Sequence, residues 1–586
     1  MPEGRDEPGL RGWNESIGIA MVPQIDRRKS PSAAAFESQS VETITVALLL
    51  LLAVVVSGAF ARMSPLLLPL PLVQIALGAA IASVADLGVE LKPDIFFLLF
   101  LPPLLFLDGW RIPKEGLFRD KGTILELALG LVVFTVVGVG YFVNWMIPAM
   151  PLAVAFALAA IVSPTDPIAV SAIASRVPIP RRLMHILEGE SLLNDASGLV
   201  CMRFAVAAAL TGTFSPVDAF GTFLWIAIGG IAIGVGVTWI ATAAKNWVSQ
   251  HFGEETGSQI LISLLIPFGA YLLAEHLHCS GILAAVAAGI TMSYVEQSGQ
   301  ALPVTRVRRS AVWDLVQFTA NGIIFVLLGE QLPQLFTGAA RVVHEAGHHE
   351  PIWLLAYVVA INLALAALRF LWVWTSLRFT LFRAALKGQH PYIPSWRLIA
   401  ATSLAGVRGT ITLAGVLTLP LTMNDGSAFP VRDLAIFLAA GVIIVSLVAA
   451  SVSLPYLLKN LELPPEPSQQ EEEDLARVAA AEVAIQAVEQ AQHDMGEGRS
   501  DADLYTDAGV RIMELYRQRI DSRSKTGKEA ALARKVDEIE RKLRLVGLRA
   551  ERTEFYRMAR SRQLSDETAR KLVREVDLLE SRFGTR

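Results

Sequence analysis

Two apolar stretches in the middle of the chain carry side chains that lipid does not tolerate. The first, IVSPTDPIAV, sets Thr165 and Asp166 between Pro164 and Pro167; the second, LEGESLLNDASGLV, holds Glu190, Ser191, Asn194 and Asp195. An ionisable residue inside a membrane is costly and faces a partner or a water-filled path, so this cluster is a functional site by default. Each proline removes an amide donor and clashes with the carbonyl four residues before it. The helix is therefore expected to open around Asp166, freeing main-chain carbonyls and presenting half-helix ends at membrane depth. A tolerated proline kink explains the prolines but not an aspartate between them.

In the second stretch Glu190 and Asn194, and likewise Ser191 and Asp195, are four residues apart, so all four project from one helical face. Asp195 lies twelve residues past Leu183, about 18 Å along a helix and near the centre of a hydrocarbon layer of about 30 Å. Removal from water favours its neutral carboxyl, so that a proton and a cation compete for it. A purely structural polar cluster that staples helices together is the alternative. Carboxylates, a hydroxyl, an amide and freed carbonyls form an all-oxygen donor set, which suits hard cations rather than zinc or copper. The small coordination charge favours a monovalent ion.

A third polar intrusion follows far downstream, where SLAGVRGTITLAG sets Arg408 between Gly406 and Gly409 in an apolar run. The glycines suggest another interruption. A buried arginine keeps its charge and needs a carboxylate, and the unassigned one among these stretches is Glu190, so a Glu190–Arg408 ion pair is expected. An arginine satisfied by local carbonyls is the alternative.

The elements that must hold these groups are membrane helices. Hydrophobic residues make up 53% of the 586 and mean hydropathy is +0.47, more apolar sequence than a water-soluble core needs. About 20 apolar residues per crossing predict thirteen spans between residues 42 and 458. Their cores are 42–61, 65–84, 94–110, 122–147, 151–175, 183–211, 219–243, 256–274, 279–294, 311–332, 352–377, 396–421 and 433–458. The fifth and twelfth carry the two interruptions and cross in opposite senses, the inverted-repeat signature of secondary transporters. Loops after odd-numbered spans hold Arg111, Lys114, Arg119, Lys121, Arg176, Arg181, Arg182, Arg306, Arg308 and Arg309 among others, whereas loops after even-numbered spans hold Lys92, Arg341 and Arg432. The positive-inside rule puts the odd loops and the C-terminal tail in the cytoplasm and the N-terminus outside; Arg27, Arg28 and Lys29 oppose this from a distance.

Residues 1–41, rich in Pro, Ser and charge, read as a disordered tail. Residues 459–586 alternate charge with Ala, Leu and Val at helical spacing and read as cytosolic helices, the last with Leu572, Val576 and Leu579 on a packing face. Nothing here suggests a nucleic-acid binder, and Cys201 and Cys279 are two thiols in apolar runs rather than a disulfide framework. HEAGH at 344–348 matches the H-E-x-x-H zinc-protease pattern, but it falls in an expected loop with Gly347 inside, so no zinc site is expected. Arg203 and Arg369 lie near predicted span ends and read as snorkelling side chains.

Together, LPPLLFLDGW, SPTDP, EGESLLND and GVRGTITLA, in this order and spacing, resemble the monovalent cation:proton antiporter family 1, the sodium/proton exchangers, in their bacterial NhaP-like branch. The resemblance covers residues 42–458. It implies a transport site for Na⁺ and H⁺ at Asp166 and Asp195, with Thr165, Ser191 and Asn194, and it matches Asp108 to an acidic residue that follows the family's Leu-Pro-Pro. It also implies a Glu190–Arg408 pair, a homodimer, and a scaffold of spans 1–3 and 7–10 around a moving core of spans 4–6 and 11–13. Asparagine before the aspartate implies electroneutral exchange. The expectation is an all-α polytopic antiporter of the cell membrane, not an enzyme and without a cofactor, exchanging Na⁺ or Li⁺ for H⁺, with K⁺ as the alternative cation.

Overall fold

The structure is a computed structural model that describes residues 33–63, 69–84, 93–166, 181–212, 216–297, 302–345, 352–386, 395–459, 469–525 and 527–583. The chain divides into two compact units, Met1–Leu461 and Glu462–Arg586. Apart from one isolated bridge between Thr422 and Ala428, the regular structure among the described residues is helical. Lipid imposes this, because a helix satisfies every backbone group within its own segment.

In the first unit the helices are α1 (Ala33–Met63), α2 (Leu70–Val84), α3 (Pro93–Arg111), α4 (Lys114–Arg119) and α5 (Lys121–Leu125). The last of these runs through a π-helical turn, Glu126–Leu131, into α6 (Val132–Met146), followed by α7 (Leu152–Val162), α8 (Arg181–Thr211) and α9 (Pro216–Phe252). Next come α10 (Thr256–His276), α11 (Gly281–Gln297), α12 (Pro303–Glu345), α13 (Ile352–Leu386), α14 (Trp396–Leu404), α15 (Thr410–Leu417) and α16 (Arg432–Leu458). Among the described residues, eight helices are long and apolar enough to cross a membrane; α2, α7 and α11 are shorter apolar helices. The α1 helix begins at Ala33, inside the segment read as disordered; Ala33–Ala35 are strong helix formers continuous with the first span.

Two packing groups surround the polar cluster. In one, α12 lies along α2, and α11 packs on α3, α9 and α10; in the other, α7 packs on α6 and α8, while α16 packs on α13, α14 and α15. Small residues allow the closest approaches. A Cβ added at Gly78 of α2 would lie 2.0 Å from the Val326 carbonyl of α12, and one at Gly329 of α12 would lie 2.0 Å from the Ile75 carbonyl of α2. Between helices in lipid, where apolar burial gives no preference, such backbone-to-backbone packing supplies the association. Trp225, Ile228, Trp239, Ile240 and Leu363 are exposed, as lipid-facing side chains are.

The second unit holds α17 (Gln469–Gly496), α18 (Ala502–Ser524), α19 (Gly527–Arg560) and α20 (Asp566–Phe583). Asp474, 7% exposed, ties the first three together by accepting from Arg523 (3.0 Å) and Arg534 (3.2 Å), and Arg523 also reaches Asp537 (3.0 Å). On α20 the buried row is Ala569, Val573 and Val576, whereas Leu579 is exposed. The packing face is thus turned by about one residue from the expected one, and the ion pairs of Arg549 with Glu580 and of Arg552 with Asp577 and Glu580 flank it.

Candidate functional site

Val162 is the last helical residue of α7; Ser163 to Asp166 leave the helix, and Pro167 lies outside the described residues. Downstream, α14 stops at Leu404 and the chain stays non-helical through Gly409, the N-cap of α15. The two breaks meet: the Asp166 amide donates to the Val407 carbonyl at 2.7 Å. Arg408, 6% exposed, donates from Nε to the Val162 carbonyl at 2.8 Å and from Nη1 to the Gly406 carbonyl, while its amide donates to Ser446 Oγ at 3.2 Å. Helix C-termini carry unpaired carbonyls and the negative end of the dipole, so one guanidinium neutralises the ends freed by both breaks.

The expected Glu190–Arg408 pair is therefore not what forms. Glu190, 1% exposed, is held bidentately by Arg369 of α13, Nη1 to Oε1 at 2.5 Å and Nη2 to Oε2 at 2.6 Å. Arg369 Nε also donates to the Thr402 carbonyl at 3.1 Å. The physical reason is depth and local supply. The α13 helix continues to Leu386, beyond the predicted span, which leaves Arg369 near its middle and 3% exposed rather than at an end from which it can snorkel. Arg408 finds its acceptors in the carbonyls that its own interruption releases. An arginine within an apolar run is the sequence signal for Arg369, and the extension of α13 to Leu386 is what places it at depth.

Thr165 Oγ1 donates to Glu190 Oε1 at 3.4 Å and accepts from Asn194 Nδ2 at 3.0 Å. The fixed ion pair thus orients the threonine, and the threonine orients the amide. Asn194 Oδ1 is left buried without a hydrogen-bond partner among the described residues.

Asp108, Thr165, Asp166, Ser191 and Asp195 line one small chamber with Gly409 to Thr412 at the start of α15. Its volume is about 20 Å³, enough for one occupant the size of a water molecule and too small for an organic solute. The first turn of α15, with the positive end of its dipole, borders this space. Gly409 is required there, since a Cβ at this position would lie 1.6 Å from Asp166 Oδ2. Gly409→Ala is expected to displace the Asp166 carboxylate and lower the exchange rate more than about tenfold, as ångström-scale misplacement does at reacting centres. Initial rates in vesicles, with folded yield measured alongside, check it.

A larger cavity of about 690 Å³ shares Asp108, Ser191, Gln317 and Asn321 with the chamber and continues past Glu188 and His185 to Arg111 and Asp314. It joins the chamber to the end of the bundle where α3 finishes and α8 starts. Gln317 and Asn321, four residues apart on α12, carry no distinctive sequence signal, because uncharged amides are tolerated in an apolar run. Asn321 Oδ1, too, is buried without a partner among the described residues. At the mouth, Arg111 is paired with Asp314.

Residues 47–460 match the family model described as sodium/hydrogen exchanger, transmembrane. The chain belongs to the sodium/hydrogen exchanger family. This is a family of transporters, not of enzymes. The exchanger chain is 42% identical, over 91% of its length and 97% of the relative's, to a protein of Escherichia coli (strain K12) named uncharacterized Na⁺/H⁺ exchanger YjcE. It is 37% identical, over 91% of its length and 77% of the relative's, to the sodium, potassium, lithium and rubidium/H⁺ antiporter of Bacillus subtilis (strain 168). Among solved structures, the sodium proton antiporter MjNhaP1 from Methanocaldococcus jannaschii shares the fold at a TM-score of 0.54 and 19% identity, covering 72% of this exchanger and 99% of that chain. The protein is accordingly a multi-pass membrane protein that exchanges a cation for protons. In HEAGH, α12 ends at Glu345 and residues 346–348 lie outside the described residues; a transporter family gives that segment no proteolytic role.

Proposed function

We propose that this exchanger carries one Na⁺, or Li⁺, out of the cytoplasm in return for entering H⁺, using a single site that either ion occupies. The observation that carries this reading is the gathering of Asp108, Asp166 and Asp195 around one ion-sized chamber with a wide path to one end of the bundle. Asp166 and Asp195 supply the charge. Thr165, Ser191 and the oriented Asn194 amide supply neutral oxygens, so that a dehydrated cation exchanges its water for fixed ligands. A proton on a carboxylate removes the charge that holds the cation, which makes the two occupants mutually exclusive. The end carrying Arg111 and the start of α8 is rich in basic loop residues and is assigned to the cytoplasm. The chamber is then inward-facing, with the C-terminal tail cytoplasmic, the N-terminus outside, and the protein in the cell membrane.

Alternating access follows if the group of α5–α8 and α13–α16 moves against the group of α1–α3 and α9–α12, since the chamber lies between them. Two copies forming a homodimer through the second group would keep it still. Asn194 beside Asp195 leaves fewer titrating carboxyls at the site, which favours electroneutral exchange. K⁺ is the second reading, favoured by the Bacillus subtilis relative, whose name includes potassium. In proteoliposomes, dissipation of an imposed pH gradient is expected with Na⁺ and Li⁺ and without net charge movement. A larger response to K⁺ would transfer the assignment to potassium, and a transport current would overturn electroneutrality.

A further inference from the structure

The α19 helix has two opposite faces, and one of them carries its contacts with α20 together with the ion pairs of Arg534 to Asp474 of α17 and of Asp537 to Arg523 of α18. Ala530 and Leu548 are buried, and Arg549 and Arg552 of the same side clamp α20 through Glu580 (3.1 Å) and Asp577 (2.8 Å). On the opposite side Leu532, Val536, Ile539, Leu543 and Val546 are 64%, 54%, 49%, 66% and 63% exposed. Their spacing of four, three, four and three residues is that of a coiled-coil seam, with Val536 and Leu543 at a and Leu532, Ile539 and Val546 at d. A seam of this regularity facing water on a helix already docked by its other face marks an interaction surface.

The charges beside the seam select its occupant. Lys542 is paired with Glu538 at 2.7 Å and Arg544 with Glu540 at 2.5 Å, so the flanks carry compensated charge rather than the basic excess that draws a helix to an anionic bilayer. In the heptad frame Lys535 and Lys542 occupy g and Glu540 occupies e. A parallel, in-register pair of identical helices brings Lys535 of one copy to Glu540 of the other, twice by symmetry. The antiparallel arrangement instead sets the basic g positions Lys535, Lys542 and Arg549 against one another.

We infer that α19 is a dimerisation helix whose Leu532–Val546 seam packs in parallel and in register on the same seam of a second copy of this chain. Two heptads form a weak zipper alone. Tethering to two copies already held together in the membrane makes the contact effectively intramolecular. The inference rests on the two-copy assembly proposed above and adds a contact that can fail by itself.

Single cysteines at Val536, Leu543 and, off the seam, Glu538 in the full chain test it in native membranes under mild oxidation, with the parent's Cys201 and Cys279 giving the background. Expected are disulfide-linked dimers through Val536→Cys and Leu543→Cys, formed several-fold faster than through Glu538→Cys. Lys535→Glu is expected to slow cross-linking at Val536→Cys, and adding Glu540→Lys to restore it. Equal rates at all three positions, or linkage only between a Val536→Cys copy and a Leu543→Cys copy, would overturn the parallel seam. Quenching of a probe at position 536 by brominated lipid would assign the face to the membrane instead. Detergent particles of dimer mass without seam cross-links would refute the tail contact and leave the membrane dimer standing, whereas monomeric particles would remove both.

Discussion

Replacing Asp195 by asparagine is expected to abolish cation/proton exchange while leaving the protein folded. Asp195 is 5% exposed and lines the chamber with Asp108, Asp166 and Ser191. Asparagine keeps the size of the side chain and an oxygen ligand but cannot hold either a proton or the negative charge that a cation needs. Burying an amide also avoids the cost of burying a charge, so thermal stability should be unchanged or slightly higher. Proton-flux assays over a range of pH and cation concentration, with melting curves in detergent, check both parts. Exchange at normal apparent affinity would remove Asp195 from the mechanism.

The second large effect concerns architecture. Glu190 and Arg369 form a bidentate pair with 1% and 3% side-chain exposure, and removing one partner leaves the other as an uncompensated buried charge, a loss of about 3 to 5 kcal/mol. Both Glu190→Gln and Arg369→Gln should therefore lower folded yield and melting temperature substantially. The double variant removes both desolvation penalties and is expected to regain much of that stability. Arg408→Gln serves as the contrast. Its guanidinium satisfies the Val162 and Gly406 carbonyls, so adding Glu190→Gln to it should bring no recovery. Additive losses for Glu190 and Arg369, or rescue of Arg408→Gln by Glu190→Gln, would reverse the pairing. Because Glu190 also accepts from Thr165, the double variant is expected to keep its fold yet exchange more slowly, as Thr165 and Asn194 lose their anchor.

Much of the site was legible from residue types alone. Acidic and amide groups within apolar runs are costly in lipid, and prolines on both sides of Asp166 oppose a continuous helix, so the break after Val162 followed from local physics. The all-helical, membrane-spanning character of the chain, likewise, was legible in its long apolar runs.

Partnership was another matter. A buried arginine announces that it needs acceptors, but whether these are a carboxylate or the carbonyls of a broken helix depends on which segments cross, and the crossing of Asp166 with Val407 joins residues far apart in sequence. Elimination among the polar stretches points Glu190 to Arg408, but its partner is Arg369, because α13 runs past the predicted span end and carries that arginine to mid-helix depth. Gln317 and Asn321 line the cavity only because α12 packs beside α3 at that level, and no local pattern marks two amides as cavity-lining. Sequence by itself determined which groups are too costly to bury without purpose; tertiary structure decided who pairs with whom, because pairing is set by the distance between helices that the chain reaches only after folding.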